Sequence, residues 1–429
     1  MPLDFHLPTI RHDRLLERFL RYVQIETTAD PRSVSYPSTA TQFDLGKVLS
    51  DEIRAMGLDD VELDAHGLVW ATVPATAVDR ESGTVGADLA TIALVAHMDT
   101  SPDAPGAGVR PQVVKNYNGD PIELPNGQVI DPVDVEGGMS HLVGKTLITT
   151  DGTTLLGGDD KAGVAIIMEL AETLMENPSI PHGRVRLLMT CDEEIGKGTD
   201  KIDLAKLNAD VAYTLDGGAA RIIDVETFSA DAAVVTFTGR NIHPSIGKGR
   251  MVNAVRAAAQ LVHRLPVDVQ APESTEAREG FLHPHTIEGD VSTAKVHLIL
   301  RSFESEELHR FGIQIQTLAQ QVAADFPGIQ VDVAIDRQYR NMGEGLAKMP
   351  SAVDVPLRAA EALGRPFEQQ IIRGGTDGSQ LTEKGLPTPN LSSGQYNIHS
   401  TREFACLDDM AEAVEHLVVT LREWARQPS

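Results

Sequence analysis

Cysteine is almost missing from this chain: Cys191 and Cys406 are the only two among 429 residues. A disulfide framework is thereby excluded, and a reducing compartment is expected. Basic charge is also short. Lys and Arg total 37 against 62 Asp and Glu, for a net charge of −25 and a pI near 4.9. Nucleic acid and anionic membrane surfaces both call for basic patches, so neither is an expected partner. No run is long and apolar enough to span a bilayer. The first twenty residues lack the continuous apolar core of a signal peptide, so a cytoplasmic protein is expected. Repeats and low-complexity tracts are missing too. What is present is ordinary for a soluble globular protein, 41% hydrophobic and 23% charged. The length exceeds one hydrophobic core, so two domains are expected.

Along the chain, Leu15, Leu16, Phe19, Leu20 and Val23 recur at helical spacing. A second helix is predicted over Gln42 to Met56, stopped at Gly57. Strand-like runs follow at 61–64 and 68–73, then a hydrophilic loop with Arg80, Glu81 and Gly83. The run from Thr91 to His97 is almost continuously apolar, which fits a strand buried on both faces. Pro102 to Gly144 reads as a long insertion. A helix with its apolar stripe on Gly163, Ile167, Leu170, Ala171 and Leu174 is predicted from about Lys161 to Glu176. Further strands are predicted at 184–190 and 211–215. From Glu226 the pattern changes to β-α-β-α-β until about Arg340, a small α+β domain inserted into an α/β one. The expected organisation is therefore a catalytic domain over 1–226 and 341–429 with an insert at 227–340.

Chemistry gathers at strand ends. The strand after Thr91 ends in His97 and Asp99, two residues apart and so on one face. The next ends before Asp192-Glu193-Glu194, and the third at Asp216. In open α/β sheets that edge is where ligands bind. The stretch T-T-D-G-T-T-L-L-G-G-D-D-K-A-G at 149–163 adds Asp159 and Asp160 behind a glycine pair. With His399 from a late loop, these imidazoles and carboxylates suit Zn²⁺, Mn²⁺ or Co²⁺. Each residue has a plainer reading: His97 a satisfied buried histidine, Asp159 or Asp160 a helix cap, Glu193 and Glu194 solvated turn residues, Asp216 a turn former. Glu193 and Glu194 are adjacent, so both can face one site only if the chain leaves the strand there.

Several stretches carry a resemblance: A-H-M-D-T-S-P-D at 96–103, L-I-T-T-D-G-T-T-L-L-G-G-D-D-K-A-G at 147–163, D-E-E-I-G-K-G at 192–198, Y-T-L-D-G-G at 213–218 and R-G-G-T-D-G-S-Q-L at 373–381. The chain resembles the M20 family of cocatalytic zinc peptidases. That resemblance implies a zinc-peptidase-type mixed sheet flanked by helices, with a lid or dimerisation domain inserted; a two-domain enzyme with a cleft is expected to close on its substrate, with hinges near Glu226 and Arg340. It implies two divalent ions, zinc first and Co²⁺ or Mn²⁺ as alternatives. One is held by His97 and Asp216, the other by Glu194 and His399, with Asp159 bridging and followed by a cis peptide. Glu193 is the implied general base acting on metal-activated water, and Asp99 the partner that fixes the His97 tautomer. His243 would stabilise the oxyanion. Arg373, with Arg301 as rival, would take a substrate carboxylate, and Asn253 would contact the peptide or start a helix. The implied activity is removal of the N-terminal residue from short peptides with a free N-terminus, tripeptides above all. A dipeptidase, carboxypeptidase or N-acyl-amino-acid deacylase is the alternative, and the family allows a homodimer. One departure is Cys191, where relatives commonly have proline; it reads as a small buried side chain.

Overall fold

The computed structural model describes residues 6–76 and 89–427. The loop with Arg80, Glu81 and Gly83 lies outside them. The chain divides into two compact units: Met1–Val225 with Gly345–Gln370 and Thr376–Ser429, and Glu226–Glu344 with Ile371–Gly375.

The first unit is built on a mixed sheet. Val185–Thr190, Ile92–His97, Val211–Gly218 and Asn390–Tyr396 lie side by side and parallel. Every residue of Ile92–His97 is buried, as the unbroken apolar run requires of a strand covered on both faces. Antiparallel strands extend the sheet at both ends: Val69–Val73 beyond Val185–Thr190, and Phe404–Cys406 then Leu147–Thr149 beyond Asn390–Tyr396. The segment read as a plain insertion contributes short strands at Gln112–Val114, Ile122–Glu123 and Val129–Ile130.

The helix Gly158–Glu176 runs behind the sheet and is buried nearly all round, not along one stripe. It packs on Ile92–His97 and is covered by helices His12–Val23 and Leu407–Ala425. Its one buried acid beyond the first turn, Glu169, accepts from Arg14 (2.7 Å) and Arg18 (2.8 Å), so the charge is not left alone.

The second unit is a four-stranded antiparallel sheet in the order Phe281–Gly289, Thr293–Ser302, Ser229–Thr238, Gln330–Tyr339. Burial alternates along Thr293–Ser302, the signature of a sheet with one packed face. Helices Ala254–Arg264 and Ser305–Asp325 supply the rest of that core through Ala257, Leu261, Phe311 and Ile315. Phe281–Gly289 is a strand that the β-α-β-α-β reading lacked. Ile371–Gly375 also departs from the expected boundary, because its contacts are with this unit. Phe228 N–H donates to the carbonyls of Ile372 and Gly374, both at 3.1 Å.

In the first unit His416 is fully buried on Leu407–Ala425, stacked on Phe367 at 4.1 Å, and its Nε2 donates to the Pro356 carbonyl at 2.8 Å. Burial pushes its pKa down to about 4. The unfolded chain protonates this residue near pH 6.5 and the folded chain does not, so its neutral form stabilises the fold above pH 6.5 and that contribution fades as pH falls towards 4. The stability advantage of wild type over His416→Gln should shrink between pH 7 and pH 5, by up to about 1.4 kcal/mol per pH unit once below 6.5. Urea midpoints at the two pH values measure it, and an unchanged difference would contradict the assignment.

Candidate metal centre

The parallel strands deliver their carboxyl-terminal residues to one edge. His97 ends its strand with a side chain 2% exposed. Its Nε2 lies 3.0 Å from Asp159 Oδ1 and 3.7 Å from Asp216 Oδ1. The other Asp159 oxygen, Oδ2, lies 3.3 Å from His399 Nε2, which is 2.9 Å from Glu194 Oε2. Asp159 thus turns one oxygen to each imidazole. Glu193 joins His97 and Asp216 with ligand atoms mutually within 4.8 Å, and Glu194 joins His97 and Asp159 in the same way.

Local backbone chemistry explains how these side chains reach one place. Gly157 caps the helix Gly158–Glu176 with φ +80°, a left-handed conformation that glycine adopts without penalty. Asp159 and Asp160 have non-helical dihedrals, and the peptide between them is cis. Asp160 is fully buried, and main-chain donors take up both oxygens of its carboxylate. Its Oδ2 accepts from the His97 N–H (3.3 Å) and its Oδ1 from the Gly163 N–H (3.1 Å). A Cβ on Gly163 would stand 2.3 Å from the Leu215 carbonyl oxygen, so that position belongs to the site's packing and not to an apolar stripe.

Glu193 and Glu194 face the site because the strand ends before them. Asp192 takes a left-handed φ of 63° and a 3₁₀ turn runs over Glu193–Ile195. The Asp192 carboxylate accepts from Ser38 N (2.6 Å) and Gln42 Nε2 (2.7 Å). Asp99 fastens the turn itself: Oδ1 accepts from Glu193 N and Oδ2 from Glu194 N, both at 3.1 Å. The backbone carbonyl of Asp99 is the nearer partner of His97 Nδ1 at 3.0 Å, and its carboxylate stands 3.5 Å off. Asp99 therefore orients His97 mainly through its main chain, and its carboxylate organises the glutamates.

Electrostatics follow from this crowding. Burial, with Asp159 close by, pushes the Glu194 carboxyl up to about 7 and that of Asp216 up to about 6. Glu193 is raised well above the carboxylate range, chiefly by burial. Burial works against the Asp159 charge as well, yet hydrogen bonds from His399 and His97 hold its carboxyl low. His399 is pushed up to about 11 by Asp159 and Glu194. The set fits divalent cations: carboxylate and imidazole donors converge, and the buried Glu194 Oε1 has no hydrogen-bond partner among the described residues.

Sequence reasoning missed several neighbours. Asp377 is buried at the start of helix Asp377–Glu383; Oδ2 accepts from Thr190 Oγ1 at 3.0 Å, and Oδ1 has no hydrogen-bond partner among the described residues. Burial pushes its carboxyl up to about 7. It lies in the R-G-G-T-D-G stretch, where only the arginine drew notice. Asp103 holds His399 Nδ1 at 3.2 Å. Lys161 is buried, donates to the Ile25 carbonyl at 2.7 Å, and is pushed down to about 7 by burial. Glu403, also buried, is pushed up to about 7 by burial; no local pattern marks it.

The four residues expected to touch substrate lie in the second unit. His243 is exposed, with Nδ1 2.7 Å from Ser245 Oγ. Asn253 caps Ala254–Arg264, its side chain accepting from Arg256 N at 3.2 Å, the helix-start role left open by the sequence. Arg301 Nη1 donates to the Leu300 carbonyl at 2.9 Å, and the guanidinium lies over the Tyr339 ring. Both terminal nitrogens of Arg373 are taken up within the unit. Nη1 donates to the carbonyls of Ala277 (2.8 Å) and Glu279 (3.0 Å), and Nη2 to Thr275 Oγ1 (2.9 Å).

The sequence profile described as "Peptidase family M20/M25/M40" matches residues 151–423. Peptidase T of Geobacillus kaustophilus is 40% identical over 97% of this chain and 99% of its own. Peptidase T of Staphylococcus aureus strain MRSA252 is 41% identical over 96% and 99%. Among solved structures, aminopeptidase PepT from Bacillus cereus superposes with a TM-score of 0.74 at 25% identity, covering 97% of this chain and all of that one.

The geometry separates the two adjacent aspartates. Asp159→Ala should lose both bound ions in metal analysis of the purified protein. Asp160→Asn should keep them, at a stability cost of about 1–3 kcal/mol for one misplaced buried acceptor. Equal metal loss in the two variants would contradict the division.

Proposed function

Because the chain belongs to peptidase family M20/M25/M40, we propose that it is a metal-dependent aminopeptidase that releases the N-terminal residue from short peptides, tripeptides first. The observation that carries this reading is the Asp159 carboxylate, with one oxygen turned to His97 and the other to His399. His97 and Asp216 would hold one divalent ion, Glu194 and His399 a second, and Asp159 both; zinc is the expected metal, with cobalt or manganese acceptable to the same donors. Such ions supply Lewis acidity towards the scissile carbonyl and lower the pKa of a water to near neutral.

The protein's own groups do the proton work. The Glu193 carboxylate takes a proton from the attacking water and later delivers one to the amide nitrogen that leaves as an amine. Water oxygen is joined to the carbonyl carbon, the C–N bond breaks, and Glu193 ends as it began. Its position is held through its backbone N–H on Asp99 Oδ1, so Asp99 supports the base without touching substrate. The peptidase T relatives, alike over nearly the whole chain, favour this reading over the other M20 activities.

Free di-, tri- and tetrapeptides with an N-acetylated tripeptide, assayed beside metal analysis of the same sample, test the proposal. The free tripeptide should be cleaved fastest and the blocked one spared. Chelator-resistant hydrolysis, or preferred cleavage of the blocked peptide, would refute it. Glu193→Gln should lower kcat by about 10²–10⁴ while ion content stays at the wild-type level; full activity in that variant would remove Glu193 from the mechanism.

A further inference from the structure

Glu403 lies four residues beyond His399 and is 1% exposed. Its carboxylate is spread over three main-chain donors of one turn. Oε2 accepts from Leu156 N (2.7 Å) and Gly157 N (2.8 Å), and Oε1 accepts from Asp159 N (3.0 Å). The turn sits where the first amides of the helix Gly158–Glu176 lack partners within the helix. An acceptor-only anion is the side chain that can close three N–H groups at once, and it meets the positive end of the helix dipole. A Cβ on Gly158 would stand 3.1 Å from Glu403 Oε1, so the carboxylate is seated directly against the turn.

The same short segment carries a ligand. Between His399 and Glu403 the chain is folded on itself: Ser400 Oγ donates to the Asn397 carbonyl (2.7 Å) and Glu403 N to the Ser400 carbonyl (3.2 Å). Phe404–Cys406 then pairs with both Asn390–Tyr396 and Leu147–Thr149. We propose that Glu403 is a positioning residue that ties the Asp159 turn to the His399 loop, so that both ion sites are set by one buried carboxylate. The inference rests on the two-ion reading above. It goes beyond it in assigning joint control to a residue that contacts neither an ion nor substrate. Asp159 serves both sites, so displacing its turn must weaken both, whereas loosening the His399 loop alone would weaken one.

The test uses the full chain stripped by chelator and titrated with Co²⁺ alone, followed by visible absorption, for wild type, Glu403→Gln and Glu403→Asp. Gln keeps the shape but turns an NH₂ towards at least one of the three amides. Asp keeps the charge but is one methylene too short to reach them all. Both variants should melt as the stripped wild type does, and both Co²⁺ steps should weaken by about 10- to 100-fold, the range for groups that support metal ligands. Wild-type affinity at both steps, weakening of one step only, or collapse of the metal-free fold in both variants would each overturn the proposal. A wild type that fails to take up two Co²⁺ would instead overturn the two-ion reading, and this inference with it.

Discussion

Like charge held at close quarters is the constraint on which the rest of this protein depends. Asp99, Asp159, Asp160, Glu193, Glu194, Asp216, Asp377 and Glu403 are buried or half-buried around one strand edge. The fold resolves this by dividing six of these carboxylates into two groups. Asp99, Asp160 and Glu403 are occupied by backbone N–H groups: two for Asp99, two for Asp160 and three for Glu403. Asp159, Asp216 and Glu194 are left facing His97 and His399. Amide dipoles fixed by the fold stabilise the first group at no cost in flexibility. The second group, set against imidazoles, has the donor chemistry that suits a divalent cation.

This division explains why part of the site was legible in the sequence and part was not. His97, Asp216 and the Asp192–Glu194 cluster follow strands whose apolar runs are plain, and parallel strands bring their carboxyl ends to one edge. The adjacency of Glu193 and Glu194 posed a period-two conflict, which the left-handed Asp192 and the 3₁₀ turn resolve. Glu403 and Asp377 had no such signal. Their partners are backbone amides about 245 residues away for Glu403, and a threonine hydroxyl 187 residues away for Asp377. Backbone donors carry no side-chain identity, so a sequence pattern cannot point to them.

The fold was legible where periodicity was strong and misread where tertiary cover changed its meaning. Gly158–Glu176 carries an apolar stripe in sequence, yet helices on its outer side bury the remainder. The second unit was expected to be one continuous insertion. It also recruits Ile371–Gly375, held by Arg373, which donates to three carbonyl groups of the 275–279 segment and stacks over Phe228. An arginine in a glycine-rich loop resembles an anion-binding group in sequence. Here its fork fastens backbone to backbone.

The two imidazoles differ in one further respect. The His97 side chain is 2% exposed and that of His399 is 37% exposed. Exposure therefore sets the two ends of the Asp159 carboxylate apart: Oδ1 meets a ring closed off from solvent, and Oδ2 meets one that solvent still reaches.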